Sequence, residues 1–462
     1  MSKSINSNYI NTTLGALVSL EKKSIISGPF GSNVGKVFFQ KEGIPLIRGN
    51  NLSTGQEKFK DIGFVFLTRE KANELNCYAI KNDIIFTAVG TIGQVGIIEE
   101  KLSFKEYVIS NKQLRVRFDT KKIKPLYAYY WFSSTWIQKL ILQQNVGSTI
   151  PLINLSVLKG LPIRFPISIV IQEQIVNALE TISSKIEINN CINTELEAMA
   201  KTLYDYWFVQ FDFPDINGKP YKTSGGKMVW NEELKREIPE GWENGVLSDL
   251  GNIIGGSTPS KEIEEYFSNE GIAWITPKDL SMNGENKFIT KGEIDVSEKG
   301  LKAASLKTMP KGTILLSSRA PIGYMAIARE FVTTNQGFKS FVPKTDYSTP
   351  FIFYAIKNSL PEIINNASGS TFKEISGGTL KTIKTCLPER KIIKNFTEIV
   401  SPIFERQNLL ELENQQLSSL RNWLLPMLMN GQVTVGGSMG KKIKYEIEEE
   451  MRMVAEPTGR AI

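Results

Sequence analysis

A chain of 462 residues, 41% hydrophobic and 22% charged, has the composition of an ordinary globular protein and the length for roughly two to four domains with cores of their own. It contains no histidine, and its three cysteines (Cys77, Cys191, Cys386) form no Cys-x-x-Cys pair. This excludes His-dependent triads and His metal ligands, argues against a disulfide framework or a zinc site, and points to a reducing cytoplasm. No apolar run is long enough to span a membrane and residues 1–11 lack the apolar core of a signal peptide, so no membrane is expected. The net charge of +7 is uneven: residues 1–165 hold 22 Lys+Arg against 11 Asp+Glu, residues 166–240 hold 7 against 12, and residues 241–388 hold 16 against 15. A strongly basic first part suits a surface that meets phosphates, although a lysine-rich solubilising surface has the same charge.

In chain order, residues 1–167 alternate short β-branched and aromatic runs, such as Asp83–Thr87 and Gln113–Phe118, with Gly, Asn, Pro and Ser, and carry a more helical stretch from Pro125 to Leu142. The pattern predicts a mixed α/β module. Residues 168–210 follow with Ile175, Ile182, Asn189, Leu196 and Leu203 every seven positions. A second row, four further on, holds Leu179, Ile186, Asn193, Ala200 and Trp207. This is the seam of a long helix that packs along another helix. Residues 211–240, rich in Pro, Gly, Asp and Lys, read as an ordered crossover loop with little regular structure.

Residues 241–388 then repeat the first module. Ile44–Arg48, Thr91–Gly93 and Gly147–Thr149 are matched by Ile272–Thr276, Pro321–Gly323 and Gly369–Thr371; Ile44 to Ile92 spans 48 positions and Ile272 to Ile322 spans 50. Residues 389–431 repeat the helix, with Phe396, Ile403, Leu410, Leu417 and Leu424 in one row and Val400, Gln407, Asn414, Arg421 and Leu428 in the other. Pro402 should kink this second rod. Residues 432–462 form a polar tail to which no function is assigned. One chain with two similar modules on two similar helices is a pseudo-dimer, suited to reading two separated half-sites. In such a pair Asn193 and Asn414, at matching positions near mid-seam, are expected to meet. Ile182, Ile186, Leu196, Leu203, Ile403, Leu410, Leu417 and Leu424 should form the apolar contact.

The run Leu203–Pro214 closing the first helix and Ile238–Trp242 opening the second module, with the doubling and its spacing, resemble the specificity subunit of a type I restriction-modification system over roughly residues 10–430. The Pro-Glu-Gly-Trp turn stands before the second module only, and the chain departs from the pattern near Asn8-Tyr9-Ile10. The resemblance implies duplicated mixed α/β recognition domains, each followed by a long helix, with the helices paired as an antiparallel coiled coil. It implies a non-catalytic subunit that binds a bipartite, asymmetric target in double-stranded DNA. Methylation subunits and a restriction/translocase subunit would be its partners, and they would use S-adenosylmethionine, ATP and Mg while this chain binds no cofactor. With rods of this length, the reading faces are expected roughly 34–36 Å apart, about one turn of DNA.

The residues that would contact DNA lie in matching loops. Arg48, Asn50 and Asn51 correspond to Thr276, Lys278 and Asp279, with side chains that differ between copies as two different half-sites would require; Arg suits guanine and Asn suits adenine. Thr91, and Ser318 with Arg319 beside Pro321–Gly323, are further candidates. Ser148 and Thr149, with Ser370, Thr371 and Lys373, offer hydroxyls, an amine and backbone N–H groups to phosphates, or serve as structural turns. Tyr204, Tyr206, Trp207 and Phe208 read either as an interface for the methylation subunits or as packing of the helix end. Gly90–Gly96 lacks dinucleotide-loop spacing and reads as a turn, and neither an Asn-Pro-Pro-Tyr nor a Gly-x-x-x-x-Gly-Lys-Ser/Thr motif occurs. Pro214-Asp215 with Glu233-x-Lys235 loosely fits a nuclease metal site, so an endonuclease centred on Asp215 and Glu233 is one alternative, and a protein-binding scaffold another.

Overall fold

The computed structural model describes residues 8–54, 57–147, 149–319, 321–369 and 373–433. It divides into two compact units, Met1–Ile186 with Gln416–Ile462, and Glu187–Gln415. Both are mixed α/β, and both have the same plan.

In the first unit, Ile25–Ser27, Gln113–Val116, Ile84–Thr87 and Val95–Ile97 form an antiparallel sheet in that order. A second sheet runs Val65–Leu67, Ile44–Ile47, Glu106–Ile109, Tyr78–Ile80, and its central pair is parallel. Strands such as Ile44–Ile47, Ile84–Thr87 and Gln113–Val116 are buried at every position. They are covered on both faces, which is why the first two read as mostly apolar runs without alternation, while Gln113–Val116 buries Gln113 and Arg115 as well. Pro125 opens the helix Pro125–Phe132, and Asn154 caps Leu155–Gly160 by accepting from Val157 N.

The second unit repeats the order of the first sheet and of three strands of the second. Gly251–Gly255, Lys339–Pro343, Ile314–Leu316 and Met325–Ala328 form one sheet, extended at its edge by Phe288–Ile289; Phe267–Ser268, Asp295–Val296, Ile272–Ile275 and Val332–Thr334 form the other. Ile272–Ile275 and Val332–Thr334 are the parallel pair. Tyr9–Thr13 pairs with Pro162–Pro166 just as Glu243–Val246 pairs with Lys384–Leu387. The start of the first copy, blurred in sequence, is therefore clear in space. Residues 211–240 are more regular than expected: Met228–Asn231 and Arg236–Pro239 form a hairpin, and Phe213 stacks between Tyr221 and Trp242 at 4.7 and 5.1 Å.

The long helices are Ile169–Tyr204 and Arg390–Met429, and each contributes to both units. Every heptad position is buried or half-buried, from Ile175, Leu179 and Ile182 to Leu417, Leu424 and Leu428. The helix continues through Pro402, an exposed position, without interruption. The expected Asn193–Asn414 meeting is displaced by one turn. Asn414 accepts from Asn189 Nδ2 at 2.9 Å and donates to Asn190 Oδ1 at 2.8 Å, whereas the Asn193 carbonyl accepts from Gln407 at 3.3 Å. A seam stepping in fractions of a turn does not place equal heptad letters opposite one another.

A second correction concerns the aromatic cluster. Tyr204, Trp207 and Phe208 are buried, and Phe208 packs on Phe351 and Phe396 at 4.9 and 5.0 Å. The chain widens into a broader helical turn at Asp205–Val209, which turns these rings into the core of the second unit. Only Tyr206 remains exposed, at 36%.

Candidate nucleic-acid interface

In each unit a cleft opens where the two parallel strands end. In the first, Ser110 N donates to Ile47 O at 3.0 Å and the chain turns away at Arg48–Asn51 and Ser110–Gln113. The cleft, about 550 Å3, is lined by Arg48, Asn50, Thr91, Gln94, Asn111 and Lys112 among others, and among the described residues no carboxylate lines it. Arg48 Nη2 and Asn50 Nδ2 both donate to the Gly63 carbonyl, at 3.0 and 3.3 Å. Gly63 has φ +71°, a conformation costly for any residue with a Cβ, and it brings this carbonyl under both side chains. Thr91 is exposed on a turn held by Gly90 N on Pro151 O at 2.9 Å. Gly90–Gly96 is thus a turn followed by a strand, Val95–Ile97.

The second cleft, about 620 Å3, lies at the same strand ends, where Asn335 N donates to Ile275 O at 3.0 Å. Thr258, Lys261, Thr276, Lys278, Asn335 and Gln336 line it, with Asp279 and Glu293 balancing the two lysines. Lys278 reaches Glu293 at 2.5 Å across an exposed edge. One cleft is cationic and the other near neutral, as the charges of their modules are.

Several candidates are committed to local structure. Asn51 is fully buried: its Nδ2 donates to Lys60 O and Ile62 O at 3.0 and 2.9 Å, and its Oδ1 accepts from Arg48 N at 3.0 Å. It shapes the loop that presents Arg48. Asp279 does the same in the second copy. Its Oδ2 accepts from Thr276 N and Oγ1 at 2.8 and 2.6 Å and its Oδ1 from Glu293 N at 2.8 Å, closing a helix N-terminal capping box. Ser318 is fully buried, with its carbonyl accepting from Ile375 N at 3.0 Å. Arg319 is partly exposed and sits 3.7 Å from Glu374. Asn145 Oδ1 accepts from Gly147 N and Leu152 N at 2.9 and 2.8 Å, so Gly147 is held by an asparagine cap, and Thr149 is exposed. Lys373 is exposed beside the Ser368–Glu374 bridge. Ser148, Ser370 and Thr371 lie outside the described residues.

Asn111, Lys112, Asn335 and Gln336 are cleft residues that the linear reading missed. The available signal was a polar amide run, Ser110–Gln113 and Asn335–Gly337, between buried strands at matching places in both copies. Of the nuclease-like pair, Asp215 Oδ1 accepts from Asn217 N and Lys219 N at 2.7 and 2.8 Å, and Glu233 is paired with Lys384 at 2.7 Å, which holds its carboxyl below the usual range. Both are engaged in local structure. Among the described residues no group of three or more His, Cys, Asp or Glu could hold a metal ion, and no helix is long and apolar enough to cross a membrane.

Comparison with known proteins agrees with this geometry. A family model for the type I restriction modification DNA specificity domain matches twice, over residues 16–198 and 239–421. The type I restriction enzyme MjaIX specificity subunit of Methanocaldococcus jannaschii is 40% identical over 211 residues, 43% of this chain and 48% of that protein. The HindI specificity subunit of Haemophilus influenzae is 26% identical over 408 residues, 76% of this chain and 87% of that protein. The crystal structure of the S subunit from M. genitalium superposes with a TM-score of 0.55 at 17% identity, covering 93% of this chain and 98% of that one, a likeness of fold. With the family model matched over both copies, the chain belongs to the type I restriction-modification DNA specificity subunits, the recognition and not the catalytic members of their systems.

Proposed function

We propose that this chain reads a split, asymmetric target in double-stranded DNA, one half-site per module, and directs adenine methylation and restriction by partner subunits. The observation that carries the reading is the pair of clefts: they occupy the same strand ends in both copies, yet present Arg48, Asn50 and Lys112 in one and Thr276, Lys278 and Gln336 in the other. Equal scaffolds with unequal polar side chains are what two different base sequences demand. Thr91, in the first cleft, and Thr149, Arg319 and Lys373, at exposed or partly exposed turns, are assigned to the phosphate backbone.

The two long helices act as an antiparallel coiled-coil spacer in this reading. Its support is that contacts rise along one helix as they fall along the other, from Asn189 with Asn414 to Asn193 with Gln407. The outward helix faces, which expose Val170, Ile188, Met199, Ile399, Leu409 and Trp423, take the methylation subunits, with Tyr206 at the end of the first helix. S-adenosylmethionine, ATP and Mg belong to the partners.

The test is to map methylated adenines genome-wide in cells with and without the gene. A two-part motif with a constant unread gap that disappears with the gene is the expected result; an unchanged methylation pattern would sink the proposal. Cleavage of DNA by the purified chain with magnesium alone would favour an endonuclease instead. Binding to duplex that does not weaken with salt would favour a protein scaffold.

A further inference from the structure

In each recognition module a lysine stands at the same place, Lys58 half-buried in the first and Lys287 buried in the second. Ile97 pairs with Ile84 and donates its N–H to Lys58 O at 3.1 Å; Ile327 pairs with Ile314 and donates to Lys287 O at 2.8 Å. Lys58 and Lys287 are therefore equivalent, and so are Glu99 and Arg329, two residues beyond those strand positions. Both lysines leave their module and reach a glutamate on the first long helix. Lys58 Nζ lies 2.6 Å from Glu180 and 2.9 Å from Glu99. Glu180 also accepts from Tyr130 Oη at 2.5 Å, and Ser183, one turn along, accepts from Arg421 of the second helix at 3.3 Å.

The second cluster is larger and drier. Lys287 Nζ lies 2.5 Å from Glu197 on the first helix, donates to Gln407 on the second at 2.6 Å, and stands over the Phe404 ring at 3.7 Å. Glu411 of the second helix accepts from Lys287 N, Phe288 N and Arg329 Nη2 at 2.7, 3.1 and 2.7 Å. Apolar surfaces slide over one another at little cost. Buried charges that need fixed partners do not, because any other register leaves a charge unpaired in a dry site. The second position carries opposite charges in the two copies: were the modules exchanged, Glu99 would meet Glu411.

We propose that these two lysine-centred clusters are orientation keys that fix the angle and register at which each recognition module sits on the long helices, and thereby the length of the unread gap. Lys58, Glu180, Lys287, Glu197, Arg329 and Glu411 are positioning residues that never touch DNA. The inference rests on the proposed reading of a split target.

The test uses the full chain in its assembled methylating complex. Lys287→Met and, separately, Lys58→Met keep the stem and remove the charge. Each should lower the preference for the native gap over gaps one base pair longer or shorter by about tenfold, while the bases required in each half-site stay the same. Glu197→Gln, which retains the shape and one hydrogen bond, is the milder variant should Lys287→Met fail to fold, and should relax the gap partially. Folded variants with a lower melting temperature but wild-type gap preference would overturn the inference, as would a change in half-site bases with the gap intact. A wild-type complex whose target proves unsplit would defeat the proposed function and the inference with it, an outcome seen in the wild type alone and so distinct from a variant that keeps the wild-type gap preference.

Discussion

The side chains that suit base recognition divide by burial. Arg48 and Asn51 are neighbours in one loop, yet Arg48 lines the cleft while the Asn51 amide is enclosed by three backbone partners. Asn51→Ala should therefore destabilise the fold by about 1–3 kcal/mol, because it removes the three hydrogen bonds of a buried amide that hold the loop, and a lower denaturant midpoint would report it. Arg48→Ala should leave that midpoint unchanged and weaken target binding by about 1–3 kcal/mol, measured as the ratio of affinities for target and unrelated duplex. Lys287 has a different signature. Burial pushes its ammonium down to about 8 despite Glu197, with Glu411, Arg329 and Lys357 also in the cluster. A depressed folded pKa means the unfolded chain holds its proton longer, so this group's contribution to stability grows as pH rises from about 8 toward the unfolded value near 10.4 and is lost as pH falls through 8. The difference in melting temperature between wild type and Lys287→Met should shift in that direction across this window, whereas a flat difference would place the lysine's pKa elsewhere.

Among the elements, the end of the first helix differs most from its linear appearance. Tyr204, Trp207 and Phe208 resemble an exposed interface patch only while their neighbours are unknown, since Phe351 and Phe396 lie far along the chain. Phe208→Ala should cost about 3–5 kcal/mol as a core truncation and be seen as a lower unfolding midpoint. Tyr206→Ala, at an exposed position, should change stability by no more than about 0.5 kcal/mol and show its effect in co-purification of the methylation subunits. Equal destabilisation by both changes would place Tyr206 in the core too. The helix seams were legible because a seven-residue spacing is local; their exact facing was not, because Asn414 meets Asn189 and Asn190 through packing of two rods and not through heptad letters.

For the molecule as a whole, the helices are the ruler in the proposed function. The first runs 36 residues, about 54 Å at 1.5 Å per residue. Adding one full turn to each helix should lengthen the unread gap without altering the half-sites, as read from the methylated motif. A lengthened protein that kept the original gap, or that changed its half-sites, would show that another part of the chain sets the distance.

The linear order of residues determines by itself whatever depends on short-range spacing or on inventory. The duplication, the two heptad rows, the Pro-Glu-Gly-Trp turn and the lack of histidine all survive without coordinates; they point to a pseudo-dimer, and the resemblance they carry implies a recognition subunit. Tertiary structure alone decides which polar residues face outward. Asn51, Asp279 and Ser318 look as available as Arg48 and Lys278 in sequence, yet they are enclosed. Asn111, Lys112, Asn335 and Gln336 become cleft residues only because Glu106–Ile109 and Val332–Thr334 return to lie parallel to strands some sixty residues earlier. Lys58 and Lys287 are ordinary surface lysines by composition; a strand on one side and a helix glutamate on the other make the first half-buried and the second buried. Burial is a property of pairings distant in the chain, and local periodicity carries no information about them.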